Sequence, residues 1–382
     1  MEFAHRYDLY NKTVFGAVKI TIGEKRKEKM RVTKLPKKNL FPFLEIISER
    51  TDLWAPVKKS GDRHVFKEIE DFSEIDLNYT RTILPPKKIL LPPVFNMFKA
   101  SRSEYKEDFS HVSPKILFGV HPCDIHGLLI MDRFYSYIYD DPYYSKAREN
   151  TLILGHSCWP DENCLCKSTN THIVEEGYDL FFTDLEDFYL VWIGSSRGDD
   201  LIRNKPELFE ENIADKDIQG FIQWREKRDQ AFQIEINFSA MPDLMELKYN
   251  DPLWEKLGDA CLACGSCTNV CPTCNCYNVL DKPALGKEFS EIVRCWDACT
   301  LENYSEVAGG ENFREKRSNR LKLWYTHKLQ AYISKYGKPA CVGCGRCIVT
   351  CPVDINIKTV ASTLDGEQAD SFWNRFHQEV RK

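Results

Sequence analysis

Two runs of cysteine dominate the chemistry open to this chain. Cys261, Cys264, Cys267 and Cys271, with Pro272 behind them, form a CxxCxxCxxxCP run, and Cys341, Cys344, Cys347 and Cys351, with Pro352, repeat it. At two-residue gaps, three thiolates of one short loop can wrap three corners of an iron–sulfur cube, while the fourth, a helical turn further on, points to the neighbouring cube. The spacing therefore predicts two 4Fe–4S clusters, one on Cys261, Cys264, Cys267 and Cys351, the other on Cys341, Cys344, Cys347 and Cys271. Zinc also takes CxxC pairs, but it needs four ligands, not two tandem fours with an added CxxxCP. Pro272 and Pro352 lack an N–H and fix φ, which separates each cluster loop from the next element. Gly265, Gly343 and Gly345 let backbone N–H groups approach sulfur.

A second group of cysteines is less regular. Cys123 follows Gly119-Val120-His121-Pro122, at the expected end of a strand and start of a helix, a position that suits a ligand or a reactive thiol. Cys158, Cys164 and Cys166 follow the next expected strand. If both loops leave the same strand ends, these four could hold a third iron–sulfur cluster. Unligated structural thiols and zinc are the other readings, and His121, His126 and His156 are alternative ligands. Cys274, Cys276, Cys295 and Cys299 lie between the two regular runs. They read as small buried thiols lining the cluster pocket rather than as a further cluster.

The elements that must position these groups fall into two textures. The segment from Ala55 to Phe66 reads as a hairpin turning at Gly61. The stretch Ile83 to Pro93, with two proline pairs, reads as extended or irregular rather than helical. Strands are expected over Lys115–Val120, Thr151–Leu154 and Phe188–Ile193, with helices from about Asp124 and after Ser196. Strand order is not legible. Beyond Pro242–Pro252 the alternating β-branched runs stop. Asp251-Pro252 is a helix start, and Leu321, Tyr325, Leu329, Tyr332 and Tyr336 mark one face of a helix from about Phe313 to Tyr336, ended by Gly337 and Pro339. The expected fold class is thus α+β: a mixed α/β module over residues 1–245, then an all-α ferredoxin-type dicluster domain over 246–382.

Composition narrows the function classes. The 382 residues carry 52 basic and 57 acidic side chains, net −5, which disfavours a nucleic-acid partner. Arg314 to Lys338 holds eight Lys or Arg against one acid, Glu315, and reads as a solvated helix face or a docking face for an acidic partner. No apolar run is long enough to span a membrane. The opening Met1 to Asp8 lacks the pattern of a signal peptide. A cytoplasmic location follows as an expectation, and there the 16 cysteines serve better as ligands than as disulfides. No GxGxxG after a strand, no GxxxxGK[ST], no GxSxG and no HExxH occurs, so no nucleotide or hydrolase motif is visible.

Cys271-Pro-Thr-Cys-Asn-Cys276, Arg294-Cys-Trp-Asp-Ala-Cys299 and Val307-Ala-Gly-Gly-Glu-Asn-Phe-Arg314, leading into the second cysteine run, resemble the iron–sulfur β subunit of soluble sulfhydrogenases and the iron–sulfur subunit of anaerobic sulfite reductases. Leu84–Pro93, Gly119–Asp124 and Cys158–Cys166 leading to Gly177-Tyr178-Asp179-Leu180 agree, so the resemblance spans roughly residues 50 to 365. It departs at Cys295, where the family pattern has Arg or a small residue. The resemblance implies an electron-transfer subunit of a multi-subunit oxidoreductase. Its partners would be an FAD/NAD(P)-binding subunit and a catalytic reductase or hydrogenase subunit, and it would contribute no catalytic residue of its own. Two alternatives stand beside it: a free-standing iron–sulfur reductase of a small sulfur-containing substrate, and a redox sensor, for which no output domain is visible.

Overall fold

The computed structural model describes residues 32–366 apart from 50, 137, 284, 285, 287 and 288. The expectation drawn from Met1 to Asp8 lies outside the described residues. Alternating apolar residues between Val32 and Ile193 build a seven-stranded mixed sheet. Its members are β1 (Val32–Pro36), β2 (Asp52–Ser60), β3 (Arg63–Glu68), β6 (Lys115–Val120), β7 (Thr151–His156), β8 (Leu180–Leu185) and β9 (Phe188–Ile193). Across the sheet they lie in the order β1-β9-β8-β7-β6-β2-β3. The four central strands β2, β6, β7 and β8 run parallel, and antiparallel pairs close both edges.

The pleat sends neighbours to opposite faces, so one strand feeds two cores. Ile116, Phe118 and Leu154 pack with Phe43, Phe182 and Val191 on one side. Leu117 and Ile153 pack with Ile125, Leu128, Met131 and Tyr144 on the other. These last four belong to the crossover helices Pro122–Tyr135 and Pro142–Glu149 between β6 and β7, each opened by proline in its first turn. The hairpin expected from Ala55 to Phe66 is present as β2 and β3, with Gly61 at φ +54° in its turn. Between the proline pairs the chain makes a helical turn, Lys87–Leu90, contrary to the irregular reading. Pro86 sits just before it, where a missing N–H costs nothing.

The all-α reading of the second region is overturned. A second, four-stranded antiparallel sheet joins β4 (Val94–Ala100) and β5 (Tyr105–Glu107) to β10 (Tyr277–Pro283) and β11 (Ser290–Trp296), in the order β10-β11-β4-β5. The two C-terminal strands escape notice in the sequence for a physical reason. Every residue of β10 is exposed, so it shows no apolar alternation, and β11 finds its other partner nearly two hundred residues earlier.

The remainder of this region is helical. Asp251 accepts from the Leu253 N–H at 2.8 Å and opens the helix Leu253–Ala260. The long helix begins at Arg317 rather than near Phe313 and runs to Tyr336, with a π-helical turn at His327–Ala331. Its solvated-face reading needs correction at two of the eight cations: Arg320 and Lys328 are buried, with Leu321, Trp324, Tyr325 and Leu329. No helix among the described residues is long and apolar enough to cross a membrane.

Candidate metal centres

Each regular cysteine run folds into a tight loop before a short helix. Gly265 and Gly345, immediately before those helices at Ser266–Asn269 and Arg346–Thr350, both take left-handed backbone, φ +75° and +73°. Two residues earlier, Ala263 (φ +51°) and Gly343 (φ +64°) do the same. In that conformation the Ala263 N–H donates to Cys261 Sγ at 3.3 Å and the Gly343 N–H to Cys341 Sγ at 3.4 Å. Amides aimed at sulfur are the means by which a loop of this kind stabilises thiolate charge.

The two loops then exchange one cysteine each. One cavity is lined by Cys261, Cys264, Cys267 and Cys351. Another is lined by Cys271, Cys341, Cys344 and Cys347. Burial pushes the Cys267 and Cys341 thiols up to about 12, so each would surrender its proton readily only to a metal. Among the described residues, no three His, Cys, Asp or Glu side chains form a group suited to a single metal ion. The four thiols instead stand around a cavity, as the four corners of a cube require.

Cys123, Cys158, Cys164 and Cys166 also come together. Cys123 lies in the first turn of Pro122–Tyr135, at the carboxyl end of β6, and Cys158 two residues beyond β7, so two parallel strands deliver them side by side. Cys123 and Cys166 share a small core with Val342 and the flanking Cys344 of the second run. Burial raises the proton affinity of Cys123 and Cys166 and drives Cys164 up to about 12, and the neighbouring Cys158 thiol adds to the rise at all three. His121 and His126 are tied to backbone carbonyls, Thr80 and Ile173. His121 Nε2 and both ring nitrogens of His156 have no partner.

Three arginines around this group carry no signal in the sequence, because each acts across more than fifty residues. Arg81 forks onto Asp161, donates to the Cys344 carbonyl at 3.1 Å and reaches Cys164 Sγ at 3.4 Å. Arg228 donates to the Cys158 carbonyl at 2.8 Å and to the His172 carbonyl. Arg346, 2% exposed, makes a bidentate pair with the equally buried Asp124 at 2.6 and 2.7 Å. Each joins one cysteine loop to another element.

The remaining cysteines separate. Cys274 contacts Cys271, and Cys276 contacts Cys299. Cys295, on β11, faces the Asn278 carbonyl at 3.7 Å. Beside Cys158 opens a cleft of about 1020 Å³, walled by Tyr79, Trp159 and Trp224.

The sequence that builds these loops matches known proteins. Residues 260–355 match the family model of a 4Fe-4S dicluster domain. Over 342 residues, 88% of this chain and 99% of the relative, the sequence is 37% identical to the sulfhydrogenase 2 subunit beta of Pyrococcus furiosus.

Proposed function

Because the chain belongs to the sulfhydrogenase β-subunit family, we propose that it is the electron-relay subunit of a multi-subunit oxidoreductase, holding two 4Fe–4S clusters and a third iron–sulfur cluster. The carrying observation is the exchange of Cys271 and Cys351 between two four-cysteine cavities. Cys261, Cys264, Cys267 and Cys351 hold one cluster and Cys341, Cys344, Cys347 and Cys271 the other. Cys123, Cys158, Cys164 and Cys166 hold the third, against Cys344. Such clusters gain and lose one electron at a time with little movement.

The chain's own part is to fix where that charge sits. The Ala263 and Gly343 amides point at sulfur, and the Leu165–Gly343 hydrogen bond keeps the second and third sites adjacent. Electrons would enter from an FAD/NAD(P)-binding subunit and leave to a catalytic reductase or hydrogenase subunit, or the reverse. All sixteen cysteines are free, which suits a reducing cytoplasm. The N-terminal module, to about residue 245, supplies the third site, and the segment from 246 supplies the other two.

Iron and acid-labile sulfide per chain, on anoxically purified protein, test this reading. About twelve of each are expected for three cubes. About eight would remove the third cluster, and none would overturn the proposal.

A further inference from the structure

The two regular cavities differ in charge. The one with Cys261, Cys264, Cys267 and Cys351 is lined by no charged side chain among the described residues. The other is lined by Lys328 and Arg346. Arg346 is neutralised by Asp124. Lys328 is 3% exposed, and no carboxylate pairs with it among the described residues. Its ammonium donates to Thr273 Oγ1 at 2.7 Å. That hydroxyl donates its own proton to the Ala340 carbonyl at 2.6 Å and lies 3.2 Å from Cys271 Sγ. Lys328 lies buried in the π-helical turn His327–Ala331, and such turns recur at functional positions.

A buried ammonium without an anion is costly. Here the surrounding groups are a hydroxyl, carbonyls, thiols, the Trp324 ring and a second buried ammonium, Lys87, which donates to the Cys274 carbonyl at 2.6 Å, so the compensating negative charge must come from what the cavity holds. Four thiolates on a cube carry net negative charge, and reduction adds one more. A fixed positive charge at this range stabilises the reduced form more than the oxidised one.

We propose that the Lys328 ammonium is the counter-charge of the second cluster and holds its reduction potential above that of the first. The inference rests on the two-cluster reading above. The second site shares its cysteine runs with the first cavity and packs its Cys344 against Cys123 and Cys166, so Lys328 makes the middle of the relay the place where an electron rests.

The test is an EPR-monitored redox titration of the full chain with its clusters, comparing wild type with Lys328→Met, Lys328→Gln and Lys328→Arg. Wild-type iron content checks the two-cluster reading by itself, before any variant is made. In the neutral variants, the signal that titrates higher of the two in wild type shifts to lower potential, the other stays, and Lys328→Arg restores it. Loss of four irons in both neutral variants with retention in Lys328→Arg also supports a charge requirement. Unchanged potentials with full iron, equal shifts of both clusters, or loss of iron in Lys328→Arg as well would each overturn the proposal.

Discussion

The Leu165 N–H donates to the Gly343 carbonyl at 2.9 Å, so the loop of Cys164 and Cys166 and the loop of Cys341 to Cys347 are joined backbone to backbone. The contact is close enough to dictate residue type. A Cβ on Gly343 would stand 2.5 Å from Cys166 Cα, whereas its counterpart Ala263 carries a Cβ in the same left-handed backbone. The glycine is therefore required by the neighbouring loop rather than by φ alone.

Gly343→Ala is accordingly expected to cost about 1–3 kcal/mol through overpacking. It would also loosen the group at Cys123, Cys158, Cys164 and Cys166 before the regular clusters. A lowered denaturant midpoint, with iron lost first from the third site, checks this. Ala263→Gly at the matching position should change the midpoint by less than half as much.

Arg346 and Asp124 form the most enclosed ion pair beside these sites, with side chains 2% and 1% exposed. Removing one partner leaves the other charge buried, which typically costs about 3–5 kcal/mol. Arg346→Ala should fall in that range by urea unfolding. The double variant Arg346→Leu with Asp124→Leu should recover part of the loss. A single variant as stable as wild type would mean that water or another cation reaches Asp124.

Single cysteine changes separate the three sites. Cys264→Ser and Cys344→Ser should each deplete a different EPR signal and stop electron flow through the complex. Cys158→Ser should remove about four irons and leave both regular clusters. Undiminished complex activity in Cys344→Ser would contradict a relay role for the second cluster.

Much of this site is legible in the sequence because its information is local. The exchange of Cys271 and Cys351 follows from spacing alone, and the positions of β6, β7 and Cys123 follow from apolar runs ending in a proline-led helix. The illegible part is carried by distant pairs. β10 is exposed along its length and finds order only through β11 and β4. Lys328 looks like one more surface cation in the basic stretch from Arg314 to Lys338, yet it lies buried in a π-helical turn that nothing in the sequence marks. Arg81 and Arg228 have no neighbouring motif to mark them, and only folding places them on Cys164 and Cys158.

His172 provides a pH signature for the same region. It is 8% exposed, its Nδ1 has no partner, and burial, reinforced by Arg228, lowers it to about 4. The unfolded chain would protonate this ring near 6.5, so between about 6.5 and 4 the unfolded state binds more protons and stability falls as pH falls. The full effect is at most about 3 kcal/mol, less the share that solvent screening removes, present above pH 6.5 and gone below pH 4. Urea unfolding of wild type and His172→Gln at matched pH isolates it from acid damage common to both. Wild type should lead by the widest margin at pH 7, and the margin should shrink towards pH 4.5. A margin that stays constant over this range would mean that the His172 ring is already charged, or already hydrated, in the folded chain.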